Sequence, residues 1–428
     1  MSAITSSRYV LSVSAASIVL LAGCAGSQPL TGSPLDQSHV RPSAALAVVP
    51  ARRARTGANR GFGTVFALTA SGKETVLYSF AGGSTDGAYP YASLLDVNGV
   101  LYGTTQSGGA YNGGTLFAIT PSGAETVLHS FGSSGDGTDP MAPLIDVNGT
   151  LYGTTRYGGV ISSACAQGCG VVFSITASGA ETVLHGFEGY PSDGAYPAAE
   201  LLDVDGTLYG TTRAGGSVLC RGSSTSGCGT VFTIAASGQE NVLFSFGAKH
   251  DDCCPSSGLT NVNGTLYGTT SYKFGKVFQI STTGSESSIH KFKGYNGAKP
   301  LGGLIDVGGA LYGITVRGGK SDRGTVFAVT TSGAETELYN FSGGADGAHP
   351  HASLVDVNGR LYGTVSQGGA ADYGAVFTIT TSSSEKLLYS FAGYPTDGAS
   401  PYAGLIDVNR TFYGTTEYGG TGGARRRR

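Results

Sequence analysis

The chain has 428 residues, enough for two or three ordinary domains or one large β domain. Charged residues are 13%, glycines number 71, and the formal net charge is −3. Such glycine content would suit a disordered or collagen-like chain, but the glycines recur at fixed positions beside Val, Leu, Phe and Tyr, which excludes both. Residues 61–424 hold 16 basic and 28 acidic residues, a balance that argues against nucleic acid as the main partner.

Residues 1–24 read as a processing segment rather than as fold. Arg8 precedes an apolar run over residues 9–21, too short to remain as a spanning helix. The run ends in Leu21-Ala22-Gly23-Cys24, which resembles a bacterial lipobox and makes Cys24 the expected lipidation site. The alternative is an ordinary secretory signal cut near Ala25. Either places the mature chain outside the cytoplasm, and several acyl chains on one Cys anchor stably where one is marginal. Residues 25–60 are rich in Ser, Ala, Pro and Arg without periodicity, and are expected to be a flexible tether.

From residue 61 the chain repeats. The clearest unit has β-rich runs at 63–68, 75–80, 92–97 and 101–105, bounded by turn residues. Asn98-Gly99 is a type I′ hairpin signal, since both central residues need positive φ. The tetrad Leu101-Tyr102-Gly103-Thr104 recurs with small variations, its tyrosines being Tyr102, Tyr152, Tyr209, Tyr267, Tyr312, Tyr362 and Tyr413. Seven four-stranded units of about 50 residues predict an all-β, seven-bladed β-propeller over residues 61–420. A Gly/Arg tail, 421–428, follows.

Loop lengths set the strand phase. From Phe80 and its counterparts to the next repeat Pro is 8–10 residues. From the Gly of Leu-Tyr-Gly to the next Val-Phe or Leu-Phe aromatic is 10–22. A blade-to-blade crossover should be near-constant, whereas a rim loop grows freely. The 92–97 strand is therefore innermost, 101–105 second, 63–68 third and 75–80 outermost. The chain then starts with third and outer strands and ends with inner and second ones, so one blade is shared between its N- and C-terminal segments. Crossovers and second-to-third loops lie on one face.

The repeat, Gly-Thr-Val-Phe through Asp-Gly, Pro, Leu-Tyr-Gly-Thr-Thr and Gly-Gly, resembles the GloVer (Gloeo/Verruco) tandem repeat of bacterial exported proteins across residues 61–420. The resemblance implies export and cell anchoring, without an assigned activity. The phase is also similar to kelch blades, by analogy of fold alone; the chain has no Trp.

Candidate sites follow from comparing each residue with its six counterparts. His129, His185 and His290 fill a slot held elsewhere by Tyr78, Phe244, Tyr339 and Tyr389, and His349 and His351 stand where Tyr89 and Tyr91 stand; all five read as aromatic-slot fillers. Asp86, Asp136, Asp193, Asp251, Asp346 and Asp397 precede the repeat Pro by four residues, with Asn296 in the seventh place. Six carboxylates could bind Ca²⁺, but recurrence favours a turn role. Cys165/Cys169 and Cys220/Cys228 each sit within an enlarged loop and are expected to form disulfides, and Cys253/Cys254 a vicinal or inter-loop disulfide. His250, Asp251 and Asp252 beside them are a weak metal set, and no metal is assigned.

The residues after Leu-Tyr-Gly-Thr-Thr vary on a constant frame. They supply the candidate ligand-binding set Arg156, Tyr157, Arg213, Tyr272, Arg317, Glu417 and Tyr418. The resulting expectation is an exported, surface-anchored, monomeric propeller. It has no cofactor, contacts the membrane through its lipid, and binds a glycan or protein at the loop face without catalysis. The alternatives are an exported carbohydrate-active hydrolase or lyase, and a structural surface protein.

Overall fold

A computed structural model describes residues 61–220, 226–235, 237–247 and 253–422. The expected signal with Cys24, the tether, the Arg tail from residue 423, and His250, Asp251 and Asp252 lie outside these residues.

The described residues form strands and no helix. In the first complete blade Leu95–Val97, Val100–Gly108, Thr115–Ile119 and Glu125–Ser130 lie side by side in that order, all antiparallel. The order recurs around seven blades. Inner strands of successive blades touch one another, which places them around the axis. Asn98 and Gly99 have φ of 55° and 82°, as a type I′ hairpin requires.

The shared blade is present. Ile406–Val408 and Thr411–Thr416 join Thr64–Thr69 and Glu74–Ser79, with Thr64 opposite Thr416 and Thr69 opposite Thr411. The ring closes through a sheet ladder, which leaves no free strand edge at the seam.

The inner strand differs from the single 92–97 run expected. Only Leu95–Val97 pairs with the start of the second strand. The far end of that strand, Thr105 to Gly108, pairs with Gly87–Pro90 of the crossover. Between the two pieces the chain bends, sending Leu94 into the core and Tyr91 into the axial channel. The residue before each repeat Pro adopts positive φ: Tyr89, Asp139, Tyr196, Cys254, Lys299, His349 and Ser400, at 54–64°. A residue before Pro is ordinarily pushed to extended backbone. Here the left-handed turn aims each N–H at the second-to-third loop one blade back, as in Tyr89 N–H to the Phe62 carbonyl (2.7 Å) and Lys299 N–H to the Phe274 carbonyl (2.9 Å).

Each blade is covered on both faces, so its third strand reads as a nearly continuous apolar run. Val65 and Phe66 are both fully buried, Val65 against Leu94 and Phe117 of one neighbouring blade and Phe66 against Phe391 of the other. One Phe–Phe contact spans each blade interface: Phe80–Phe117, Phe131–Phe173, Phe187–Phe232, Phe246–Phe278, Phe292–Phe327, Phe341–Phe377 and Phe391–Phe66, at centroid separations of 5.0–5.2 Å. The glycine of Leu-Tyr-Gly makes room for this ring. A Cβ on Gly103 would lie 2.6 Å from Phe117 Cζ and 2.8 Å from Leu94 Cδ2.

Candidate functional site

Strand alternation decides where the variable residues point. In the blades of Arg156 and Arg213 the first residue after Leu-Tyr-Gly-Thr-Thr lies toward the axis, whereas Val316 at the same position is buried in an interblade core. Arg156 reaches Met141 Sδ at 3.7 Å and Asp139 at 4.0 Å, and Arg213 lines the channel. The second residue turns toward the crossovers. The Tyr157 ring meets Tyr196 at 5.5 Å under the Arg156 guanidinium, and Tyr418 meets Tyr89 at 5.7 Å. Tyr272 is 42% exposed, with the Lys273 ammonium 5.9 Å from its ring. Arg317 is exposed beside Asp322 at 3.6 Å. Arg156, Arg213 and Glu417 come together electrostatically around Tyr91. Tyr157 and Tyr418 are half-buried against neighbouring crossover tyrosines, and Tyr272 and Arg317 stand apart on the rim.

The channel itself is a cavity of about 610 Å³ along the axis. The residue after each repeat Pro lines it: Tyr91, Met141, Ala198, Ser256, Leu301, His351 and Tyr402. Three consecutive blades thus supply an aromatic arc. Tyr91 and Tyr402 stack at 5.0 Å with 18° between planes, and His351 meets Tyr402 edge-on at 4.6 Å. Burial, with the nearby His349 and Arg317, lowers His351 to about 4, and its buried Nδ1 makes no hydrogen bond. Glu200 projects from the third blade of the ring, across the axis. Water reaches its side chain, yet the channel walls enclose it, and this desolvation lifts its carboxyl to about 7. Solvent access and enclosure are compatible in a narrow channel, and enclosure governs the titration. By sequence His351 reads as an aromatic-slot filler in the place of Tyr91, and Glu200 carries no signal of its own; the position after the repeat Pro is what marks the channel lining.

The Asp-Gly residues have the expected turn role and a second one, as acceptors for the aromatic-slot side chain. Asp86 Oδ1 accepts from Gly87 N–H (2.6 Å), and its Oδ2 accepts from Ala81 N–H (2.6 Å) and Tyr78 OH (3.1 Å). His129 and His185 make the same bridge to Asp136 and Asp193 at 3.1 Å. The slot is therefore a polar clasp. A Glu from the next blade completes it, with the buried Oε1 of Glu74, Glu125, Glu181, Glu240, Glu335 and Glu385 unpartnered. Burial, then neighbouring Asp charge, raises Glu74, Glu125 and Glu240 to about 7. Burial is the largest single influence on His185 and would lower it, but its hydrogen bond to Asp193 together with the charges of Asp193, Glu240 and Glu188 makes the net shift upward. At the interface where Phe244 occupies the slot, buried Lys276 donates to Glu286 at 2.8 Å.

Three groups bring metal-type donors within 4.8 Å of one another: His129/Asp136/Glu181, His185/Asp193/Glu240 and Cys220/Cys228/Cys253. In the first two, backbone N–H groups already occupy both Asp oxygens, and tyrosine replaces the imidazole in other blades. In the third, two sulfurs are joined. Both expected loop disulfides, Cys165–Cys169 and Cys220–Cys228, are formed. The expected Cys253/Cys254 disulfide is not. Both remain thiols, 2.6 Å apart, with Cys253 3.0 Å from Cys220 Sγ. Cys254 is pinned at φ 64° by its N–H bond to the Cys228 carbonyl and the Ser271 N–H bond to its own carbonyl, which commits its backbone to the interblade turn.

A model of the Gloeobacter/Verrucomicrobia repeat matches residues 53–222 and 218–425. The chain belongs to this repeat family. No curated protein matches it. Among solved structures, this GloVer-repeat chain resembles virginiamycin B lyase from Staphylococcus aureus, with TM-score 0.50 and 14% identity over 83% of this chain and 99% of that one. A puromycin-hydrolyzing peptidase from Mycobacterium tuberculosis gives 0.47 and 11%, and a puromycin hydrolase 0.49 and 11%. Those two matches cover 77% and 78% of this chain but 53% and 54% of theirs. At 14% identity the lyase likeness shows a shared fold and carries none of its chemistry.

Proposed function

We propose that this propeller is an exported, cell-surface-anchored, non-enzymatic binding module that docks a protein or glycan partner on its crossover face. One observation carries the reading. Every large hydrophobic side chain exposed among the described residues lies on that face: Tyr111, Val160, Ile161, Val218, Tyr272, Phe274 and Tyr295, from 38 to 74% exposed. All seven sit in second-to-third loops or a crossover, and the variable Arg and Tyr positions border them. An apolar face rimmed by polar residues marks an interaction surface, and Tyr and Arg serve well there as anchors. The disulfide-closed loops fit a surface whose loops must keep their shape outside the cytoplasm.

The test is co-sedimentation of the full-length chain with native envelope fragments. Replacing Ile161, Phe274 and Tyr295 by Ser should abolish co-sedimentation of the delipidated chain. Arg360→Ala with Lys386→Ala, away from that face, should leave it intact. Equal binding by both variants would overturn the reading. Turnover of polysaccharides by the same sample would favour the hydrolase or lyase alternative.

A further inference from the structure

The axial channel is built unlike the rest of the ring. The strand frame repeats in every blade, but the channel wall is asymmetric. Its aromatic arc, His351–Tyr402–Tyr91, occupies three consecutive blades. Across the axis the equivalent positions are small, Ala198 and Ser256, which leaves the space that forms the cavity. Arg213 and Glu200 stand on that open side. Neither has a hydrogen-bonding or ion-pairing side-chain partner among the described residues. The open face of this stacked ring pair, an unpaired guanidinium and an unpaired carboxyl line one cavity of about 610 Å³, the composition of a small-ligand pocket.

We propose that the axial channel binds a small acidic sugar, a hexuronate of one or two rings, laid against the open face of the stacked Tyr91–Tyr402 pair with its carboxylate on Arg213. This does not rest on the partner reading of the crossover face.

The chemistry selects this class. The apolar face of a pyranose lies well on an aromatic ring, while the phenol groups supply hydrogen bonds at the edge. Guanidinium matches a carboxylate with two parallel N–H donors. Arg156 and Lys299 are offset by Asp139, Asp96 and Glu417, so the unpaired Arg213 is the group that favours an anion over a neutral sugar. Glu200 can hold ring hydroxyls, accepting when ionised and donating when protonated. Glu200 shares the channel with Tyr91, Asp96, Arg213, Lys299, His351 and Tyr402. Its carboxyl, lifted to about 7 by enclosure, repels an anionic ligand once it ionises. Hexuronate affinity should therefore fall as pH rises through neutrality.

Calorimetric titration of the full-length chain with digalacturonate tests this, with galactobiose as the neutral control. Digalacturonate should bind at least tenfold tighter than galactobiose, and more weakly at pH 8 than at pH 6. Arg213→Gln should lose tenfold or more. Glu200→Gln should bind and lose the pH dependence. Ala198→Phe fills the channel from the open side and should block binding; a thermal melt matching the parent shows that the ring still closes. Absence of digalacturonate binding to the parent, equal affinity for galactobiose, or unchanged binding by both Arg213→Gln and Ala198→Phe would overturn the proposal. Loss of envelope binding by the crossover-face variants would leave it untouched, so the two readings fail separately.

Discussion

Thr64 and Thr416 share a hydroxyl–hydroxyl hydrogen bond of 2.8 Å across 352 positions of chain. Their counterparts make the same bond within one blade, as Thr105 does with Thr115 at 2.8 Å. The seam between the two ends of the described ring is therefore built like any other strand pair. Phe391 against Phe66, at 5.1 Å, repeats the core contact of the other six interfaces there.

The seam makes stability a property of the whole ring. Removing residues 61–80 should leave Thr411–Thr416 without its third-strand partner and abolish the single cooperative melt. A truncated chain that melts at the parent temperature would contradict the shared blade.

Gly103→Ala should destabilise by about 1–3 kcal/mol, the usual cost of overpacking a filled core. Its Cβ has no room beside Phe117 and Leu94. Phe117→Leu in the same chain should recover part of the loss, since the two sites share one space. Denaturant titration of both single variants and the double variant measures the coupling; strict additivity would argue against the clash.

The clasps predict a pH dependence of unusual sign. Glu74, Glu125 and Glu240 have folded values near 7, above the ordinary 4.5, and Glu181, Glu335 and Glu385 are raised as well. The folded state then binds more protons than the unfolded one between those values. Their contribution is fully present below about 4.5 and is lost as pH rises through about 7. His351, held down to about 4, and His290, also lowered by burial, act the other way below their ordinary 6.5. With six glutamates against two histidines, the melting temperature should fall from about pH 5 to pH 8. Replacing Glu74, Glu125 and Glu240 together by Gln should flatten the profile. A parent that gains stability over that range would contradict the clasp account.

The cysteines give a chemical test. Alkylation of the folded, non-reduced chain followed by peptide mapping should find Cys165–Cys169 and Cys220–Cys228 linked, and Cys253 and Cys254 as thiols once the chain is unfolded. A Cys220–Cys253 link would show that the four-sulfur cluster pairs differently from the structure.

The fold was legible because its signals are repeated seven times. The period, the Asn98-Gly99 turn and the contrast between constant crossovers and variable loops fixed blade number, strand order and the shared blade. The site was less legible. Alternation along the strand end separates Arg156 from Tyr157, and a set of variable positions does not show which of two directions each takes. His129 looked like a ring in an aromatic slot, yet its nitrogen is what Asp136 requires. Tyr89 precedes a proline, so local rules predict extended backbone; the interblade hydrogen bond to Phe62 overrides them. Glu200 stands out once the other inner strands are seen facing it across the axis, a relationship with no local trace.

Hydrogen exchange of the full-length chain with and without native envelope fragments tests the central claim most directly. Binding at the crossover face predicts slowed exchange at residues 109–114, 159–170, 271–275 and 293–297, with the hairpin turns at 97–100, 147–150 and 357–360 unchanged. Protection confined to those hairpin turns, or no protection on either face, would contradict the account.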